Sequence, residues 1–397
     1  MLTVCAVGMA AQTRFEQWME RKIFRTVDDS TTRRGIIAAD SVFGIRKQAV
    51  ESSWIIVPYP SYAPETSWRI GVTCGIYFKS PNPMRISYLN MTGEYSVLKQ
   101  FKFMATSTAY MGRNQEFSLE TQLDIRLFPD YYYGIRNTYD GLRFRYSDRR
   151  SMLDMTLQYE AKKNIKFGGH LFLRYADPKS LSGDDDLADS LRIVGSNEVG
   201  WYRHFQTGIG LTFTYDSRDN QFYATRGIYA RTDFGYYLPY LSRYQYARGI
   251  IDYRQYQTLW KNHVLAWQVY SEMTLSNEAP FYEIPTLGGD ERMRGFRQNM
   301  FRNPFLWCAQ VEYRIPLWWR FKAVAFATVG DCYSWKDFMH SKSLKSSVGI
   351  GLRFRFNEAK SHFRFDVAKN NYEQRISFYI TAIEAFRSQA NDELKTM

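Results

Sequence analysis

The chain has 397 residues, 45% hydrophobic and 17% aromatic, yet its mean hydropathy is -0.44. No run of 18 apolar residues occurs, which excludes a membrane-spanning helix, while many aromatics in a polar chain suit strands with one apolar and one wet face. The 52 Lys and Arg against 40 Asp and Glu give +12. The basic residues are scattered singly, with no basic block and no zinc, helix-turn-helix or RNP pattern, so nucleic acid is set aside as a partner.

The opening MLTVCAVGMAAQ is a short apolar run ending in small side chains. Residues 1–11 therefore read as a signal-peptide remnant, cut near Ala10 or Ala11, without its positive start. LTVC is a faint lipoprotein box, since Val4 is large for the position before Cys5. Residues 12–47 are charged and partly helix-like and read as a periplasmic leader.

Beyond them the period changes to two. WRIGVTCGIYF sets Ile70, Val72, Cys74, Ile76 and Phe78 against Arg69, Gly71, Thr73, Gly75 and Tyr77. GIGLTFTYD and SVGIGLRFRF alternate in the same way. Strands are predicted near 66–78, 83–95, 99–111, 115–128, 150–160, 164–176, 206–218, 226–238, 246–258, 262–274, 306–318, 322–334, 345–356, 361–369 and 374–386. A bacterial barrel needs an even number, so another strand is expected near Ser52–Tyr59, making 16. A soluble sandwich is the competing reading. It is disfavoured by strands longer than usual, by aromatics near the strand ends, and by a wet face rich in Arg, Asp, Glu, Gly and Thr. The expected fold is all-β: a transmembrane antiparallel β-barrel over 48–386, followed by a tail, 387–397.

Connections at 112–114, 161–163, 259–261 and 319–321 are short; those near 129–149, 177–205 and 275–305 are long. The alternation assigns short periplasmic turns and long extracellular loops. The polar, glycine-marked stretch IPTLGGDERMRGFRQN (284–299) thus falls on an extracellular loop.

Four motifs, in order, carry a family resemblance: YDSRDNQFYATRGIY, LGGDERMRGF, QVEYRIPL, and GIGLRFRFN with FRFDVA. They resemble the BamA/TamA superfamily of outer-membrane insertases and translocators, also called bacterial surface antigens, over about 180 residues, 208–386. The resemblance implies a periplasmic turn motif at Asp216, Arg218, Asp219, Asn220 and Gly227. It also implies a signature loop, Gly288, Gly289, Arg294, Gly295 and Phe296, that folds back into the lumen. There the glycines permit a tight reversal and a close approach to the wall, Phe296 wedges the tip, and buried Arg294 needs a carboxylate. Parity turns Glu312 and Asp366 inward, which makes them the expected partners; Asp216 is also inward but lies near a periplasmic turn.

The chain departs from the family pattern in places. Thr328 stands where the family often has Asp, Phe386 is followed by further residues, and Glu384 sits where a terminal strand prefers an apolar residue. Residues 12–47 are too short for a POTRA domain, so the barrel is expected but not the substrate-delivery module.

No cofactor is expected. The histidines, His170, His204, His263, His340 and His362, show no metal-ligand spacing, and neither GxSxG nor a Walker loop occurs, so neither a metal site nor an enzyme is expected. The acidic stretch 182–190 can supply oxygen ligands to Ca²⁺, but reads first as a solvated loop. Cys308 and Cys332 are a candidate disulfide, against the plainer reading of two small residues near the extracellular rim that a one-residue register shift would separate. If the intervening turn centres on Arg320, positions summing to 640 oppose each other and the two thiols face, with Cβ atoms about 4.5–5.5 Å apart. Cys74, on the lipid face, should stay unpaired.

Three functions remain open. The first is assembly, insertion or translocation of outer-membrane proteins, using a weak seam between first and last strands. The second is a passive pore or transporter. The third is an accessory barrel docking envelope proteins. The bacterial outer membrane is the expected location, with lipid bilayer and lipopolysaccharide around the barrel and outer-membrane protein substrates or envelope proteins as partners.

Overall fold

Period-two alternation gives each strand a wet and an apolar face, and closing the sheet hides the wet one. The computed structural model describes residues 53–63, 67–78, 85, 87–139, 144–180, 200–220, 223–276, 278–337, 344–355 and 362–381. The signal remnant, the leader, the acidic stretch 182–190, Glu384, Phe386 and the tail lie outside the described residues.

Among the described residues sixteen long strands form one antiparallel sheet, curled into a nearly closed barrel. They are β1 (Ser53–Ala63), β2 (Ser67–Tyr77), β3 (Tyr88–Ser96), β4 (Phe101–Met111), β5 (Phe117–Tyr132), β6 (Phe144–Lys162), β7 (Ile165–Ala176), β9 (His204–Asp216), β10 (Gly227–Tyr237), β11 (Ala247–Thr258), β12 (Val264–Leu275), β15 (Phe305–Pro316), β16 (Phe321–Tyr333), β17 (Lys345–Arg355), β18 (His362–Asn370) and β19 (Ile376–Thr381). A two-residue strand, β8 (Lys179–Ser180), pairs with β6, and β13 (Thr286–Leu287) with β14 (Phe301–Arg302) forms a small hairpin inside the β12–β15 loop. The strand expected from parity near Ser52–Tyr59 is β1. No helix among the described residues is long and apolar enough to cross a membrane, which leaves crossing by strands untouched.

The two faces separate as alternation demands. On β12, Ala266, Gln268, Tyr270, Glu272 and Thr274 are buried inside. Outward residues such as Ile70 (74% exposed), Leu211 (72%) and Ile350 (67%) have only lipid to cover them. Such a continuous apolar band around a polar interior belongs to an outer-membrane barrel.

The sheet closes between β1 and β19. β1 pairs with β2 at eleven positions, and its other edge meets β19 at Tyr62↔Ile380, the residues that would face the rest of that edge lying outside the described range. Pro58 and Pro60 lie inside the unbroken β1–β2 ladder, opposite Val72 and Ile70. Proline has no N–H to give, so an unbroken ladder requires both nitrogens to point away from β2, toward β19.

The candidate disulfide is corrected by the register. Trp319, not Arg320, takes the left-handed conformation in the β15–β16 turn (φ 54), and opposed positions sum to 638. Cys308 therefore faces Gly330 and Cys332 faces Leu306. Parity survives the shift, so both thiols point inward and are buried, but they sit on a diagonal, where Cα atoms are about 7–8 Å apart, and both are free. Under denaturing, non-reducing conditions Cys74, Cys308 and Cys332 are expected to label fully; loss of two thiols that reductant restores would show a bridge after all.

Candidate functional site: the lumen and its docked loop

The β12–β15 connection leaves the extracellular end and turns into the lumen. Its turn depends on backbone conformations that side chains resist. Gly288 (φ 126), Gly289 (φ 109) and Gly295 (φ 104) are all left-handed, and the Gly289 N–H donates to the Phe296 carbonyl at 3.2 Å. A Cβ on Gly288 would stand 2.0 Å from the Arg297 carbonyl oxygen, whereas one on Gly289 meets nothing nearer than 3.8 Å. Gly288→Ala is thus expected to loosen the loop more than Gly289→Ala. Both substitutions incur about 1–2 kcal/mol for the left-handed backbone, but only the first also collides with main chain. Rates of proteolysis within the loop are the measure; equal rates would refute the collision.

At the tip, Arg294 is fully buried between two strands' carboxylates. One of its terminal nitrogens, Nη1, lies 2.8 Å from Glu312 on β15 and 2.9 Å from Asp366 on β18. Its guanidinium carbon is 3.5 Å from the Phe326 ring centre. Three wall arginines share these carboxylates. Arg314 reaches Glu312 at 2.9 Å, Arg353 reaches Asp366 at 2.6 Å, and Arg364 reaches Asp366 at 3.6 Å. Arg364 also binds Asp290 of the loop at 2.9 Å. Four guanidiniums thus surround two carboxylates.

The neighbouring backbone is held as firmly. The Gly295 N–H donates to the Tyr379 hydroxyl at 3.0 Å, and Asn370 and Ser377 donate to the Gly295 carbonyl at 2.7 and 3.2 Å. A Cβ on Gly295 would press on Ser347 at 3.2 Å and Ala368 at 3.4 Å. Phe296 packs into an apolar cluster with Met293, Met300, Phe301, Leu306 and Cys308. Thr328, which stands where the family often has Asp, shares a 2.7 Å hydrogen bond with Ser347.

A second anchor escaped the sequence reading. Glu283, in the loop's short 3-10 turn Phe281–Glu283, receives two hydrogen bonds from Arg174 of β7 at 2.9 and 2.7 Å. Beside it, Phe281 packs among Tyr132, Tyr146 and Trp201. Arg174 was readable as inward by parity, but Glu283 sits in a stretch without periodicity and had no signal. The loop is therefore fastened to two separate arcs of the wall.

At the periplasmic end the turn motif is also tightly bonded. Arg218 pairs with Asp216 at 2.8 Å, Asp219 accepts from the N–H groups of Thr225 and Arg226 at 2.8 and 3.2 Å, and Asn220 accepts from the Tyr223 N–H at 2.8 Å. Gly227 (φ 105) leaves no room for a Cβ, which would meet the Ser217 carbonyl at 2.3 Å.

The Omp85 superfamily domain matches residues 87–383. No curated protein matches the sequence. Among solved structures, BamA from Haemophilus ducreyi lacking POTRA domains 1–3 aligns with a TM-score of 0.56 at 14% identity, covering 83% of this chain and 69% of that one. CdiB from Escherichia coli aligns at 0.53 with 10% identity over 85% of this chain and 63% of its own. CdiB from Acinetobacter baumannii aligns at 0.51 with 10% identity over 85% and 59%. At these identities the likeness is one of fold.

Proposed function

This chain belongs to the Omp85 superfamily, and from that premise we propose that it inserts, assembles or translocates polypeptides at the outer membrane, working against lipid and lipopolysaccharide and on outer-membrane protein clients. The observation that carries this reading is the pair of prolines on β1. One edge of β1 is bonded along its described length to β2, while the edge that meets β19 lacks N–H donors at Pro58 and Pro60. Each missing hydrogen bond withholds about 0.5–1.5 kcal/mol, so the sheet parts most easily there. A passive pore is the less supported alternative, because a loop fastened at two places fills the lumen.

The experiment places the purified protein in liposomes and follows folding of a urea-denatured outer-membrane protein. Wild type is expected to speed folding. A disulfide between Tyr62→Cys and Ile380→Cys is expected to abolish the gain until reductant is added. No acceleration by wild type would refute insertion, and acceleration indifferent to the cross-link would refute the seam.

A further inference from the structure

The lumen is obstructed at its other end as well. Tyr223, Ala224 and Thr225 lie within the β9–β10 turn motif, between Asn220 and Gly227, and Tyr223 (2% exposed) and Ala224 are buried although they belong to a connection rather than a strand. They fold inward across the periplasmic mouth. Ala224 packs on Tyr256 of β11 and Ala266 of β12. The Thr225 carbonyl accepts from Thr258 of β11 at 2.9 Å, and the Ala224 carbonyl accepts from Arg314 of β15 at 3.2 Å. The Tyr223 ring reaches further. Lys322 of β16 lies 3.6 Å from its centre, Arg314 4.8 Å, and the His362 ring of β18 4.4 Å. A residue that starts between β9 and β10 thus touches β15, β16 and β18, the last of them six strands from β10 in the sixteen-stranded barrel.

These contacts lie beside the periplasmic turn 317–320, on the periplasmic side of the Arg294 cluster. They use cation–π contacts with two basic side chains, which the ring satisfies only while it lies across the mouth. The residues that grip Tyr223 and the carboxylates that grip Arg294 meet at Arg314, which bonds Glu312 on one side and Ala224 on the other.

We propose that the Tyr223–Thr225 stretch is an inner closure of the lumen, separate from the extracellular loop, so that passage through the barrel requires two displacements. The claim concerns the lumen and stands whether or not clients use the seam.

Planar-bilayer conductance tests it with four proteins: wild type, 288–299 replaced by a short Gly-Ser linker, Tyr223→Ala, and the two changes together. Each is first shown to be a folded barrel by its shifted gel mobility when unboiled. Either change alone is expected to leave conductance near that of wild type. The combination is expected to raise it about tenfold, toward the open lumen that a barrel of this strand number encloses. Full conductance from the linker variant alone would overturn the proposal.

A second readout keeps the test independent of the loop deletion. Gln268, inward on β12 between the two closures, is replaced by Cys in a background lacking the native cysteines. With the extracellular loop intact, Tyr223→Ala is expected to speed labelling of that thiol by a membrane-impermeant maleimide about tenfold, in keeping with an uncovered aqueous lumen. Unchanged labelling would also overturn the proposal.

Discussion

Arg294→Ala is expected to release the tip of the extracellular loop from the barrel wall, while Arg297→Ala leaves it docked. Arg294 is fully buried and bonded to Glu312 and Asp366. Removing one member of a buried pair costs about 3–5 kcal/mol. The low end applies here, because Glu312 keeps Arg314 and Asp366 keeps Arg353, so neither carboxylate is stranded. About 3 kcal/mol still raises the undocked fraction roughly a hundredfold. Arg297 instead pairs with Glu373 at 3.3 Å, with 21% and 17% of the side chains exposed, a setting worth about 0–1 kcal/mol. Limited proteolysis of the loop reads the difference, and equal cleavage of the two variants would defeat the role given to Arg294. The same count of charges predicts that Asp366→Asn does more harm than Arg294→Ala, since it leaves Arg294, Arg314 and Arg353 to share Glu312 alone while Arg364 keeps only Asp290.

Much of this is legible in the sequence, because alternation in a barrel is a strict constraint. Arg353, Arg364 and Asp366 on neighbouring strands are placed on one face by parity alone, and β1 follows from the need for an even strand count. Parity does not give register, however. The Trp318, Trp319, Phe321 and Phe354 rings pack together around the β15–β16 turn. Trp319 takes the left-handed position, which shifts every opposed pair by two and separates Cys308 from Cys332. Nor does parity reach into connections. Glu283 and Tyr223 lie in aperiodic stretches, and their partners, Arg174 and the Arg314–Lys322–His362 group, are distant in sequence. Such contacts are set by how loops fold across the lumen, which no local pattern encodes.

The wall opposite the Arg294 cluster holds the loop's first half, and Arg174→Ala is expected to free that half while the tip stays docked. Arg174 bonds Glu283 and also reaches Asp154 at 3.4 Å, all three buried. Its loss removes both hydrogen bonds that Glu283 receives from it, at a cost of about 3–5 kcal/mol for breaking a buried pair. Glu283→Gln should cost less, because Arg174 keeps Asp154. The anchor is also expected to respond to acid. Burial opposes ionisation of Glu283, but the Arg174 and Arg248 guanidiniums and the Arg174 hydrogen bond outweigh it and hold the carboxyl below its ordinary value of 4.5. A folded-state pKa below the unfolded one stabilises fully above the ordinary carboxylate range and fades as pH falls through the lowered value. Cleavage between residues 278 and 287 by an acid-active protease should therefore rise only in strong acid for wild type, and Glu283→Gln should remove that step. Cleavage that is the same for Arg174→Ala and wild type at neutral pH would show that the aromatic packing around Phe281 holds this half without the ion pair.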